Sequence, residues 1–204
     1  TIQLAGSEPK KYGICAKIIE ENGYDEINLN IGCPSTKVIK GEFGACLMNS
    51  PKLVADCITE IKKSCNLPVS IKTRLGLGYD EDLHLLFGLI DETRNAGCKK
   101  FFIHARNAIL NGLSPKKNRK IPKLRYDDVL KVKNKYGDIE LYLNGGLEDI
   151  LGIHNNISLF NGIMIGRKVY DDPMFLRIIE KEVFNDNAVI TRKDIINEYL
   201  KYAE

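Results

Sequence analysis

The chain has 204 residues, 44% of them hydrophobic and 28% charged, with a net charge of +3. These are ordinary values for a soluble globular protein, and the length suffices for one domain with a large core. No apolar run approaches the ~20 residues of a membrane-crossing helix, and the opening TIQLAGSEPKK lacks the charged-then-apolar pattern of a secretory signal.

Ile2 to Leu4 reads as a short strand. Tyr12 to Asn22 carries Ile14, Ile18 and Ile19 at helical spacing and stops at Gly23. Glu26 to Ile31 is a strand running into Gly32-Cys33-Pro34. Ser50 before Pro51 reads as an N-cap with proline at the first helical position, opening a helix with Leu53, Val54, Cys57, Ile58 and Ile61 on one face. Pro68 to Lys72 is a strand. Asp82 to Ala96 is a helix with Leu83, Leu86, Phe87 and Ile90 inward. Lys100 to His104 is a strand, followed by a long loop. Asp127 to Tyr136 is a helix with Val129 and Val132 inward and Gly137 as its stop. Glu140 to Leu143 is a strand ending in Asn144-Gly145-Gly146, and Glu148 to His154 a weak helix. Gly162 to Ile165 is a strand ending in Gly166-Arg167, and Pro173 to Phe184 a helix. Thr191 caps a last helix with Ile195, Ile196, Tyr199 and Leu200 on one side.

Strict alternation of strand and helix predicts an α/β fold with a parallel sheet and right-handed crossovers. A doubly wound sheet and a (β/α)8 barrel both fit that order. Nearly every strand ends in polar residues (Asn30 and Cys33, Lys72 and Arg74, His104 and Arg106, Asn144, Arg167), and many strands feeding one rim is the barrel arrangement. A doubly wound sheet concentrates its site at one switch point and usually carries a G-x-G-x-x-G turn after its first strand, which is absent here. Asn144-Gly145-Gly146 and Gly166-Arg167 fit the phosphate site that barrels build after strands seven and eight. On that count the visible strands are three to eight. The first two would lie upstream of Thr1, and a chain opening on a strand without methionine suggests a fragment.

The six cysteines (Cys15, Cys33, Cys46, Cys57, Cys65, Cys98) form no C-x-x-C pair and read as reduced thiols of an intracellular, cytoplasmic protein, although an organellar targeting segment upstream would escape notice. The three histidines have no metal-ligand spacing, so no metal site is expected. Ser114 to Tyr126, SPKKNRKIPKLRY, holds six cations and no acid. Alone it reads as a solvated lysine-rich loop; it also suits a polyanion bound at one place.

Tyr24 to Met48 reads YDEINLNIGCPSTKVIKGEFGACLM. Its N-x-N-x-G-C-P-S run resembles the active-site signature of tRNA-dihydrouridine synthases. QLAGS (Gln3 to Ser7) before it and IKTRLG (Ile71 to Gly76), FIHAR (Phe102 to Arg106), LNGG and MIGR after it agree in order and spacing, and LNGLSPKKNRKIP is similar to the subgroup related to bacterial dihydrouridine synthase A. Each motif is weak by itself; six in register are specific. The likeness covers Thr1 to about Phe184.

The resemblance implies FMN as cofactor, NADPH as the usual reductant and uridine in tRNA as substrate, in the D-loop near position 20. It implies Cys33 as the general acid that protonates C5 of uracil while hydride reaches C6 from the flavin. It implies flavin contacts for Lys72, Gln3 and His104, and phosphate contacts for Asn144, Gly145, Gly146, Gly166 and Arg167. Asn30 would read the uracil edge, Arg106 would reach the base or the flavin, and Lys116 and Arg119 would touch tRNA. The segment Ser35 to Ala45 is expected to be a long lid-like loop. The target base has to be flipped out of the tRNA stack. Residues 1–186 would form the FMN-binding barrel domain and residues 187–204 the start of a C-terminal helical tRNA-binding domain, in a monomer. Two rival readings are an FMN barrel oxidoreductase acting on a small molecule, similar to dihydroorotate dehydrogenase, and a non-catalytic RNA-binding remnant. The basic stretch argues against the first; Cys33, Lys72 and the Asn144–Gly146 turn argue against the second.

Overall fold

In the computed structural model, which describes residues 1–203, the chain runs β1 (Ile2–Leu4), α1 (Pro9–Glu21), β2 (Ile27–Ile31), α2 (Thr36–Lys40), a 3-10 turn (Gly44–Asn49), α3 (Pro51–Ser64), β3 (Val69–Arg74) and α4 (His84–Asn95). It continues through β4 (Lys100–His104), a second 3-10 turn (Lys117–Arg119), α5 (Tyr126–Lys135), β5 (Glu140–Asn144), α6 (Ile150–Ile157), β6 (Gly162–Met164), α7 (Arg167–Asp171), α8 (Phe175–Phe184) and α9 (Arg192–Ala203). The strands pair in parallel in strict chain order, β1-β2-β3-β4-β5-β6. Nowhere does that order reverse, so the sheet has no switch point. These are six consecutive βα units of a (β/α)8-type fold, and all strand C-termini face the same rim.

The two sheet faces differ sharply. Ile27, Leu29 and Ile31, with Ile71, Phe101, Ile103, Leu141 and Leu143, point outward and are almost fully buried against Val54, Ile58 and Ile61 of α3, Leu86, Leu89 and Ile90 of α4, and Val129 and Val132 of α5. Burying a side chain of this size stabilises by roughly 1.5–3 kcal/mol, so this layer between sheet and helices dominates the fold. The alternate positions face inward and are mostly polar, among them Asn28, Asn30, Ser70, Lys72, His104 and Asn144. Phe102 and Tyr142 stack there, ring centroids 4.8 Å apart.

Several local expectations are corrected. Helix α1 begins at Pro9 and buries Tyr12, Gly13, Ala16 and Ile19, while Ile14 and Ile18 are 62% and 53% exposed. Gly13 explains that rotation, because a Cβ there would lie 2.8 Å from the Ser64 Oγ of α3. The close approach of α1 to α3 requires the small residues inside. Ser50 occupies the N-cap of α3, but its side chain caps nothing. Helix α5 ends at Lys135 with Tyr136 as an extended C-cap, and Gly137 follows it without the positive φ of a left-handed glycine cap. Ser35 to Ala45 is not an open loop. It contains α2, buries Val38 and Ala45, and turns at Gly44, whose φ is +62°. Thr191 does cap α9: its Oγ1 accepts from the Asp194 N–H while Asp194 accepts from the Thr191 N–H, a capping box. No residue of α9 is buried, and Ile195, Ile196, Tyr199 and Leu200 are all exposed.

Candidate active site

At the rim formed by the strand C-termini lies a cleft of about 340 Å³, within the range of small-molecule sites. Its lining includes Gln3 of β1, Asn30 and Cys33 after β2, Lys72 and Arg74 of β3, His104 of β4, Asn144–Leu147 after β5 and Met164–Lys168 after β6. Every strand contributes, as it must when inward residues at equivalent heights converge on one axis.

The charge in the cleft is one-sided. Lys72, Arg74, Arg119, Arg167 and Lys168 face a single carboxylate, Glu148. Arg167 Nη2 stands 3.6 Å from Glu148 Oε1. Lys72 donates to Asn144 Oδ1 at 3.0 Å. With no carboxylate beside it, the ammonium is pushed down to about 8, first by loss of hydration and second by the Arg74 charge. His104 is driven down to about 2 by burial and then by Arg74, Lys72, Arg106 and Arg167. In the ligand-free cleft its ring is therefore neutral. Such a site selects an anion.

The Asn144-Gly145-Gly146 turn is shaped for close approach. Gly145 and Gly146 have φ of +107° and +70°. A Cβ on Gly145 would fall 2.4 Å from His104 Cδ2, and one on Gly146 would fall 2.4 Å from a Leu124 methyl. The Tyr126 hydroxyl donates to the Gly145 carbonyl at 2.6 Å, and Asn144 donates to the Met164 carbonyl at 2.8 Å, tying this turn to the next strand.

Cys33 sits on a peptide whose polar groups are all engaged. Asn30 Oδ1 accepts the Gly32 N–H at 3.2 Å and the Cys33 N–H at 3.1 Å. The Cys33 carbonyl accepts from the Ala45 N–H at 3.0 Å, and the Gly32 carbonyl accepts from Arg74 Nε at 3.0 Å. Gly44 permits this: a Cβ there would lie 2.9 Å from the Cys33 carbonyl oxygen. Arg74 is 4% exposed and is pushed down to about 10, chiefly by burial, so it stays a cation. Its Nη1 donates to the carbonyls of Asn107 at 3.1 Å and Asn118 at 3.0 Å. One guanidinium thus ties the cysteine segment to the basic loop. Asn118, fully buried, organises that loop through Ile109 N–H and the carbonyls of Ile109 and Leu113.

Of the residues singled out from sequence, Cys33, Gln3, Asn30, Lys72, His104, Asn144, Gly145, Gly146, Gly166, Arg167 and Arg119 line the cleft together. Arg106 does not. Its guanidinium donates to the carbonyls of Lys120 and Pro122, and it lines an adjoining basic cleft with Arg119, Lys120 and Arg167. Lys116 is exposed beside Pro115 and lines neither cleft. The oxygen of Asn30 is spent on backbone N–H groups rather than open to a ligand. Sequence reasoning missed Asn118, Tyr126, Lys168 and the inward-facing Asn28. The one available signal for Asn28 was the polar–apolar alternation INLNI, unusual for a strand of a covered parallel sheet.

Residues 1–204 match the family model described as dihydrouridine synthase (Dus). A tRNA-dihydrouridine(20/20a) synthase of Synechocystis is 40% identical over 204 residues, spanning 100% of this chain and 61% of that protein. Proteins of the same name from Pseudomonas putida and Vibrio parahaemolyticus are each 41% identical, over 98% and 100% of this chain and 60% and 63% of theirs. The chain therefore spans about three fifths of the length of these curated relatives. Among solved structures, a lyase/mutase from Burkholderia cenocepacia superposes with a TM-score of 0.55 at 13% identity, covering 96% of this chain and 66% of that one, a likeness of fold alone.

Proposed function

The chain belongs to the dihydrouridine synthase family, and from that premise we infer that it forms the FMN-binding barrel of an enzyme reducing uridines of tRNA to 5,6-dihydrouridine. NADPH is the reductant, and the target lies in the D-loop near position 20, in keeping with the relatives' name. Residues 1–186 belong to the barrel, and residues 187–204 begin the helical domain that grips tRNA. The observation that carries this reading is the single cleft in which five cations and a two-glycine turn stand beside Cys33. The donor set fits FMN: backbone close to Gly145 and Gly146 with Arg167 suits a phosphate, and an ammonium lacking a counter-ion suits the electron-rich edge of a flavin.

FMN, when bound, supplies the hydride. The protein's own work is positioning and proton supply. Cys33 would donate its thiol proton to C5 of the uracil, its peptide held by the Arg74 guanidinium through the Gly32 carbonyl. Lys72 and Gln3 would hold the cofactor edge, and His104 would contribute a hydrogen bond to it. Arg119 and Lys116 steer the tRNA backbone, and the flipped base enters beside Asn30.

The test is reduction of unmodified tRNA by the purified full-length protein with FMN and NADPH. The expected product is dihydrouridine confined to the D-loop. Flavin reduction by NADPH without any change in tRNA would move the protein to the small-molecule oxidoreductases. Failure to bind flavin at all would favour an RNA-binding remnant.

Lys72 gives a pH prediction. In the free protein its pKa is about 8, below the ordinary 10.5, so folding with the charge present is disfavoured below that pH and the penalty is relieved as pH rises. An anionic ligand reverses this preference and takes up a proton. FMN affinity of the full-length apoprotein is expected to be constant below pH 8 and to fall above it, by at most about tenfold per unit. Flavin fluorescence titration between pH 7 and 9 measures this. Lys72→Met flattens the profile; a profile already flat in the wild type removes Lys72 from the cofactor site.

A further inference from the structure

Beneath the cleft a continuous hydrogen-bond chain crosses the inner face of the sheet. Lys100 Nζ donates to Glu26 Oε2 at 2.6 Å, and Ser70 Oγ donates to Glu26 Oε1 at 2.6 Å. Asn28 Nδ2 donates to Ser70 Oγ at 2.8 Å, Gln3 Nε2 donates to Asn28 Oδ1 at 2.6 Å, and Asn30 Nδ2 donates to Gln3 Oε1 at 3.2 Å. Asn30 Oδ1 then accepts the Gly32 and Cys33 N–H groups. Glu26, Asn28 and Ser70 are 7%, 5% and 0% exposed, too far below the rim to touch a ligand in the cleft.

We propose that Glu26, Ser70 and Asn28 are positioning residues that fix the orientation of the Gln3 and Asn30 amides and, through Asn30, the peptide carrying Cys33. The reason is the polarity of the two ends. An ionised carboxylate only accepts hydrogen bonds, and a backbone N–H only donates. The hydroxyl and three amides between them can each donate or accept in either sense when isolated. Strung between an acceptor-only and a donor-only terminus, they have a single consistent arrangement in which every group donates toward Glu26. At the far end the Lys100 ammonium donates to the other oxygen of Glu26. Neither cleft amide can turn over without leaving a buried group unpaired, and links in such a chain polarise one another in the same sense.

The arrangement also decides what the amides offer a ligand. Asn30 Oδ1 has both lone pairs occupied. One N–H of Asn30, one N–H of Gln3 and one lone pair of Gln3 are left. This part of the cleft is therefore biased toward ligand acceptors.

The effect on turnover rests on the reading of Cys33 as the acid, but the first readout does not. Full-length wild type, Ser70→Ala, Glu26→Gln and Lys100→Met are treated with iodoacetamide, and Cys33 and Cys15 are followed separately by peptide mass spectrometry. Cys15, part-exposed on α1, serves as the internal reference. Ser70→Ala breaks the one-way chain, and Glu26→Gln reverses its far end, because the new amide turns its oxygen to the Lys100 ammonium and its N–H group to Ser70; each is expected to raise the Cys33:Cys15 rate ratio about fivefold, the shift that one hydrogen bond of ordinary strength supports. Lys100→Met leaves Ser70 its acceptor and is expected to stay within about twofold of wild type. A ratio unchanged in Ser70→Ala and Glu26→Gln overturns the proposal, and so does an equal rise in Lys100→Met. If Glu26→Gln does not fold, Ser70→Ala, which removes one oxygen, decides. Hydrogen exchange of the wild-type Cys33 amide gives a second measure: exchange at the rate of an unstructured peptide also overturns it. A raised ratio accompanied by unchanged kcat would remove Cys33 from the chemistry while leaving the positioning intact.

Discussion

Cys33→Ala in the full-length protein is expected to lose a factor of about 10²–10⁴ in kcat for tRNA reduction, the usual contribution of a positioned general acid, while still binding flavin. The backbone groups that hold residue 33 are engaged with Asn30 and Ala45 whatever side chain it carries, so the cleft keeps its shape. In cells, D-loop dihydrouridine disappears from bulk tRNA when the variant is the sole source of the enzyme. The cleft contains one competing proton donor near neutral pH, Lys72 at about 8. Near-wild-type turnover in Cys33→Ala with turnover abolished in Lys72→Met would transfer the acid role to the lysine. Undiminished activity in both would sink proton donation by this rim altogether.

Gly145→Ala is expected to be nearly as damaging, through stability rather than chemistry. Two costs combine. At φ +107° an alanine is strained by about 1–3 kcal/mol, and its Cβ would stand 2.4 Å from His104 Cδ2 and 2.7 Å from Nε2. His104 is buried, so its ring cannot swing into solvent, and overpacking of this kind costs about 1–3 kcal/mol. A loss of roughly 2–6 kcal/mol in urea unfolding follows, together with weakened flavin binding. Adding His104→Ala creates room for the methyl, so the double variant should recover the overpacking share and retain the strain. Strict additivity of the two substitutions would show that the histidine ring is not what the methyl meets.

Much of the rim was legible because chemistry accumulates at strand C-termini, where Asn30, Lys72, His104 and Asn144 interrupt apolar runs and the Asn144-Gly145-Gly146 turn stands out. Strand order followed from strict alternation. What lay deeper was not legible. Asn28, Ser70 and Glu26 look like unremarkable strand residues, and only their mutual geometry shows that they form one chain. Arg106 sits two residues beyond a cleft-lining histidine, yet its side chain turns to brace Lys120 and Pro122; spacing does not encode that choice. The face of α1 was misread because isoleucine was taken as the mark of burial. Packing against α3 selects by size there, and Gly13 and Ala16 go inside while Ile14 and Ile18 stay out. The segment after Cys33 looked like an open loop because α2 spans only Thr36–Lys40, too short for helical periodicity to declare itself.

The neighbour-to-neighbour order of the sheet bears on how the protein is made. Each strand pairs with the one synthesised just before it, as in Ile2 with Ile27, Ile27 with Val69, Ser70 with Lys100, Lys100 with Glu140 and Tyr142 with Gly162. Twenty to about forty residues separate such partners, which ribosomes at ~5–20 residues per second deliver within roughly one to eight seconds. When each of β2 to β6 emerges from the ribosome, its pairing template is therefore already outside. From β1 to β5, the growing edge is exposed only for as long as it takes to translate one more unit.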